Sequence, residues 1–137
     1  MSIMENLFIA PTQTTPEIRF SIKENIFRIS GTSRPMDVRG FYYPIIDWVI
    51  ELADEIINKK IVYFSKENPL RFQVDFIYFN SSSAKLLYDI FSELKRIHEA
   101  GITIRVEWYY EKEDTDMLHA GEDFAILAEM DFVSVAK

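Results

Sequence analysis

The chain has 137 residues, 48% of them hydrophobic and 27% charged, which suits one globular domain, 1–137, large enough for a real core. Its formal net charge is -7 and it shows no basic stripe, which argues against nucleic acid or an anionic membrane surface as a partner. It has no cysteine and no apolar run approaching the ~18 residues of a membrane span, so disulfides, thiolate chemistry and membrane insertion are not expected.

The opening MSIMENLF carries an acid and no basic n-region; no signal peptide is expected, and a cytoplasmic address is the default. Leu7, Phe8 and Ile9 can form a short strand or pack under a neighbour, and Ala10 to Pro16 is a polar connection with two prolines. Glu17 to Phe20 and Ile26 to Ser30 read as two strands of a hairpin around Lys23-Glu24-Asn25. Gly31 to Gly40 reads as a loop carrying Arg34 and Arg39. A helix is predicted over roughly Tyr42 to Asn58, with Ile45, Val49, Leu52 and Ile56 on its apolar face. Pro44 is tolerable in a first turn, which sets the predicted start near Tyr42 or Tyr43.

The stretch Arg71 to Phe91 organises the rest. Phe72, Val74, Phe76 and Tyr78 alternate with Gln73, Asp75, Ile77 and Phe79, a strand whose second half is apolar on both faces and therefore belongs inside a sheet. Asn80, Ser81, Ser82 and Ser83 then stop the strand, because such side chains bond nearby backbone. From Ala84 the period becomes helical, with Leu87, Ile90, Phe91, Leu94 and Ile97, in a helix from about Ser83 to Glu99. A serine thus sits where a strand feeds a helix N-terminus, whose free N–H groups and dipole favour an anion. On composition and position alone, Ser81 reads first as a helix N-cap worth ~1 kcal/mol.

Ile102, Ile104, Val106 and Trp108 alternate with polar residues in a further strand, followed by an acidic turn over Glu111 to Asp116. A last helix covers Met117 to Glu129, capped by Thr115 or Asp116, with Phe132 to Val135 as a possible short C-terminal strand. The predicted fold class is α/β: a small mixed β-sheet with packed helices in the order ββαβαβα. The central strands are parallel neighbours joined through helices.

Little catalytic chemistry is legible. No GxGxxG, GxxxxGK[ST] or GxSxG pattern is present, and His98 and His119 lack metal-ligand spacing, so both read as structural or solvated. Acid pairs such as Glu113/Asp114 and Glu122/Asp123 read as solvated surface. Trp108-Tyr109-Tyr110 reads as strand core with one exposed ring. No catalytic residue, cofactor or metal site is assigned, and no enzyme activity is expected.

Across nearly the whole chain the residues resemble the SiaC family of bacterial regulatory phosphoproteins. The resemblance rests on Pro11-Thr12-Gln13, Thr15-Pro16-Glu17-Ile18, Gly31 to Pro35, and Ile46-Asp47-Trp48-Val49. It rests most specifically on Tyr78-Phe79-Asn80-Ser81-Ser82-Ser83 with Lys85, and is completed by Val106 to Tyr109 and Gly121-Glu122-Asp123-Phe124. It implies a fold like that of STAS, or anti-sigma-factor-antagonist, domains, which carry a phosphorylatable Ser or Thr at a strand-to-helix junction. It further implies partner switching in bacterial signalling, of the kind that governs c-di-GMP and biofilm formation. A protein kinase would phosphorylate Ser81 and a PP2C-type phosphatase would reverse it. The unphosphorylated form would bind and activate a partner such as a diguanylate cyclase. Asn80, Ser82, Ser83 and Lys85 would surround the phosphosite, with Lys85 a candidate salt-bridge partner for the phosphate. A constitutive structural or oligomerisation module, and a small enzyme using carboxylate or His chemistry, are the alternatives.

Overall fold

The structure is a computed structural model that describes residues 4–137; Met1–Ile3, part of the opening segment read as lacking a basic leader, lie outside the described residues. The elements are β1 (Leu7–Ile9), β2 (Glu17–Ser21), β3 (Ile26–Ser33), α1 (Val38–Ile57), β4 (Leu70–Phe79), α2 (Ser81–Glu99), β5 (Ile104–Tyr110), α3 (Thr115–Ala128) and β6 (Phe132–Ala136). The expected ββαβαβα series therefore gains a strand at each end, from the Leu7–Ile9 and Phe132–Val135 segments.

The six strands form one sheet whose spatial order is the chain order. β1, β2 and β3 pair antiparallel as hairpins; β3 to β6 are parallel. The parallel β4–β5 pair, with Phe72 opposite Val106, is the expected one. The strand order never reverses, so three crossovers of one hand place α1, α2 and α3 on the same face. Ile18, Phe20, Phe27, Ile29, Phe72 and Val74 accordingly point into one buried core, while Arg19, Arg28 and Gln73 alternate onto the helix-free face.

Trp108 is the pivot of that core. Its ring lies 5.6 Å from Phe124 and 6.1 Å from Phe79, and its Nε1–H donates to the Met117 carbonyl at 2.8 Å. α3 comes this close because residue 121 is glycine: a Cβ there would stand 2.4 Å from the Trp108 Cδ1.

Two local expectations are corrected. α1 begins at Val38, four residues before the expected start, because the Asp37 carboxylate caps the Gly40 N–H at 3.0 Å. Pro44 thus lies in the second turn, where it leaves the Gly40 carbonyl without its helical donor. The alternation predicts Tyr78 on the face of Phe72, Val74 and Phe76, yet it is 50% exposed, and Phe79 packs inward against Phe76, Trp108 and Phe124. The cause is a register shift: Gly31 pairs with Phe76 and Thr32 with Tyr78, which leaves Ile77 as an extra residue and inverts the alternation after it. Gly31 takes φ +113 there, so it lies within β3, which runs on to Ser33.

Candidate functional site

The C-terminal ends of β3 and β4 lie side by side, with Ser33 opposite Phe79. The Asn80 N–H donates to the Ser33 carbonyl at 3.0 Å, which ties the β4–α2 junction to the end of β3. Asn80 is the N-cap of α2: its extended backbone (φ -91, ψ 170) turns the chain, and its Oδ1 accepts the Ser83 N–H at 2.9 Å. The helix therefore starts at Ser81, two residues before the expected start. Ser81 is the first helical residue and not the cap.

The three serines have different fates. Ser83 is fully buried. Its hydroxyl donates to the Ser33 carbonyl at 3.2 Å and accepts from the Ser33 hydroxyl at 2.8 Å, and Ser33 in turn bonds the Tyr42 hydroxyl at 2.5 Å. Tyr42 is buried as well, and that burial pushes its phenol up to about 12, despite the hydrogen bond to Ser33. The hydroxyl chain links β3, α1 and α2 beneath the junction. Ser82 is exposed, and its hydroxyl donates to the Asn80 Oδ1 at 3.2 Å. Ser81 is exposed, and its hydroxyl makes no hydrogen bond among the described residues. The N–H groups of Ser81 and Ser82 lie in the first turn and have no intrahelical acceptor, and the turn carries no acidic side chain.

Lys85 stands one turn beyond Ser81, on the same stripe of α2. Its ammonium is engaged by the Asp89 carboxylate at 2.9 and 3.0 Å, so it leans along the helix away from the junction. Sequence reasoning missed Ser33 and Tyr42. Ser33 fell in a segment read as loop, and nothing local signals that the two hydroxyls meet Ser83, fifty residues from Ser33.

The remaining polar residues have structural surroundings. His98 lies in the last turn of α2 on the surface, and the exposed His119 approaches only Glu122 among the described residues, at 4.0 Å. Asp114 caps α3 through the Met117 N–H at 3.0 Å, one residue ahead of the expected Thr115 or Asp116. Trp108 lies in the core, and the Tyr109 hydroxyl meets Gln73 and Glu107 on the helix-free face. Glu107 is buried there, which by itself would raise its pKa. Hydrogen bonds from Gln73, Arg105 and Arg71 outweigh that burial and hold it at about 2. No three residues among those described are grouped to hold a metal ion, and no described helix is long and apolar enough to cross a membrane.

Fold and junction together define a class: a mixed α/β sheet, helices on one face, that presents a free serine hydroxyl in the first turn of a helix at its rim. Within that class the chain belongs to the SiaC family of regulatory phosphoproteins, whose family model matches residues 9–137. An uncharacterized protein of Pseudomonas aeruginosa strain UCBPP-PA14 is 28% identical over 122 residues, covering 88% of each chain. The crystal structure of apo-SiaC from Pseudomonas aeruginosa shares the fold with a TM-score of 0.77 at 24% identity, over 98% of this chain and 99% of that one. A chain in the crystal structure of the diguanylate cyclase SiaD in complex with its activator SiaC, from the same organism, matches with a TM-score of 0.81 at 24% identity. The match covers 96% of this chain and 99% of that one.

Proposed function

We propose that this protein is a phosphorylation-switched binding protein with Ser81 as the switch. Its unphosphorylated form binds and activates a diguanylate cyclase. A protein kinase adds the phosphate and a PP2C-type phosphatase removes it. The observation that carries the reading is the division of labour among the serines. Ser83 is buried in the hydroxyl chain and Ser82 is held by the cap, while Ser81 offers an exposed hydroxyl with no partner among the described residues. Membership of a family of regulatory phosphoproteins supports the modification, and the SiaD–SiaC complex of Pseudomonas aeruginosa supports the class of partner.

A phosphate on Ser81 adds about -1.5 to -2 charges. The free first-turn amides and the helix dipole accept such a charge without unfolding α2. Lys85 is within one turn and can leave Asp89 for the stronger anion. The effect falls on whatever docks at the rim, through repulsion and desolvation.

The test uses protein purified from its own host, with intact mass and a mapped phosphosite, and affinity measurements against that host's diguanylate cyclase. Ser81→Ala should bind like the unmodified wild type. Ser81→Glu and kinase-treated protein should bind at least tenfold more weakly, a loss of ~1.4 kcal/mol or more, with unchanged circular dichroism. Phosphate found on Ser82 while Ser81 is spared would move the site. Equal binding by modified and unmodified protein would leave a constitutive module.

A further inference from the structure

A second surface lies at the other end of α2, roughly 28 Å from Ser81 by the rise of its 19 residues. There, a groove runs between α3 and β6. The α3 side is the stripe Glu122, Ala125, Ile126 and Glu129, spaced i, i+3, i+4, i+7, the β6 side is Asp131, Phe132 and Ser134, and His98 at the end of α2 closes the groove, facing three carboxylates. Ile126 is 74% exposed, unusual for a residue of its type. Glu129 and Asp131 have no cation partner among the described residues, and Glu122 has only His119, at 4.0 Å. The nearest lysine on α2, Lys95, is committed to the Glu129 main-chain carbonyl at 2.6 Å.

β6 is also a sheet edge. Among the described residues it pairs only with β5, so alternate N–H and C=O groups point outward along Phe132–Ala136. Native edges are usually blunted by shortness, lysine or proline. β1 at the opposite edge has three residues, and Arg19 of β2 lies over its Phe8 ring at 4.7 Å. β6 has five residues, FVSVA, with no lysine or proline among them; Lys137, whose N–H continues the ladder to the Tyr110 carbonyl, commits its ammonium to Asp75 and Glu111 and leaves Phe132–Ala136 unblunted. Its alternation puts Phe132 and Ser134 on the α3 side and Val133 and Val135 on the helix-free side.

We propose that this groove is a docking site for an extended segment of a partner protein in which basic and apolar residues alternate, added to the sheet beside β6. Its apolar side chains lie next to Val133 and Val135. Its lysine or arginine side chains lay their stems over Ile126 and bring their charges to Glu122 and Glu129. Charge complementarity selects this occupant over a second copy of the chain, because two copies paired edge to edge would bring the acidic stripes of α3 together. The inference does not depend on Ser81.

The probe is a synthetic octapeptide of alternating lysine and valine, titrated into the full, isotopically labelled chain and followed by amide chemical shifts. The shifts should move along Glu122–Ala136, and the amides of β6 should become protected from exchange. Added salt should weaken binding, and a glutamate–valine octapeptide should not bind. The double variant Glu122→Lys/Glu129→Lys, both surface changes, should lose at least about tenfold in affinity for the basic peptide. Shifts scattered over the other acidic surfaces, equal binding of the acidic peptide, or an unaffected double variant would each overturn the proposal. Sedimentation showing a dimer that Val133→Lys disrupts would overturn it as well, by assigning the edge to a second copy.

Discussion

Replacing Asn80 by alanine separates the cap from the proposed switch. The Asn80 Oδ1 holds the Ser83 N–H at 2.9 Å and the Ser82 hydroxyl at 3.2 Å. Loss of an N-cap costs about 1 kcal/mol and up to ~2. Ser83 is buried, so water replaces the lost acceptor poorly and the cost falls toward the upper end. For a chain of this size, 1 kcal/mol corresponds to roughly 3–5 °C in Tm, so Asn80→Ala should melt about 4–8 °C below wild type. Ser81→Ala removes an exposed hydroxyl that bonds none of the described residues and should stay within ~0.5 kcal/mol of wild type. The sequence-based reading puts the cap penalty on Ser81; the structure transfers it to Asn80. Thermal and urea unfolding of the two variants and their combination decide the matter. The reasoning fails if Ser81→Ala loses as much stability as Asn80→Ala, or if Asn80→Ala melts like wild type.

Two further outcomes test the packing around the sheet. Gly121→Ala should lower the urea midpoint by the equivalent of about 1–3 kcal/mol, because its Cβ would stand 2.4 Å from a buried, rigid indole. On an open helix surface the same change would stabilise by up to ~1 kcal/mol, so a stabilised variant refutes the close approach of α3 to Trp108. The Glu107 carboxyl, held at about 2 in the folded protein, contributes stability that is present above its ordinary value of 4.5 and is lost as pH falls from there through 2. Glu107→Gln should flatten the fall of unfolding free energy over that window by an amount on the order of 3 kcal/mol, and an unchanged pH profile would show that the Gln73, Arg105 and Arg71 contacts do not act on the acid.

The β4–α2–β5 unit was legible because its periods are unambiguous: strict alternation, a polar stop, helical spacing, then alternation again. That sufficed for the parallel neighbours and the helix between them. Boundaries failed where a single residue was given too much weight. Pro44 alone points to a start of α1 near Tyr42, although the Asp37 cap and the packing of Tyr42, Ile45 and Val49 hold a helix that contains it. Gly31 reads as the start of a loop, although it lies inside β3, with its positive φ at the register shift opposite the extra residue Ile77 of β4. That shift is invisible in β4 alone, which is why Tyr78 and Phe79 were assigned to the wrong faces. At the site, sequence supplied Asn80 and the serines but not their division of labour. That division depends on Ser33 and Tyr42, which reach Ser83 only through the parallel pairing of β3 with β4 and the packing of α1 beside α2.

The same division of labour explains why the proposed switch at Ser81 would act on docking and not on the fold. The polar network beneath the junction is complete without it. Tyr42, Ser33, Ser83 and Asn80 satisfy one another, and no buried side-chain polar atom among the described residues lacks a partner. A hydroxyl inside that network could not gain a charge without breaking a bond, exposing a buried donor and loosening the β3–α1–α2 packing; phosphate there would be a folding switch. Ser81 is outside the network, in a first turn whose amides are free and whose dipole favours an anion. Phosphorylated and unphosphorylated protein should therefore share the same circular dichroism and melt within a few degrees of each other while differing in partner affinity. A large change in Tm on phosphorylation would show that Ser81 is coupled to the buried hydroxyls after all, and would move the switch from the surface into the core.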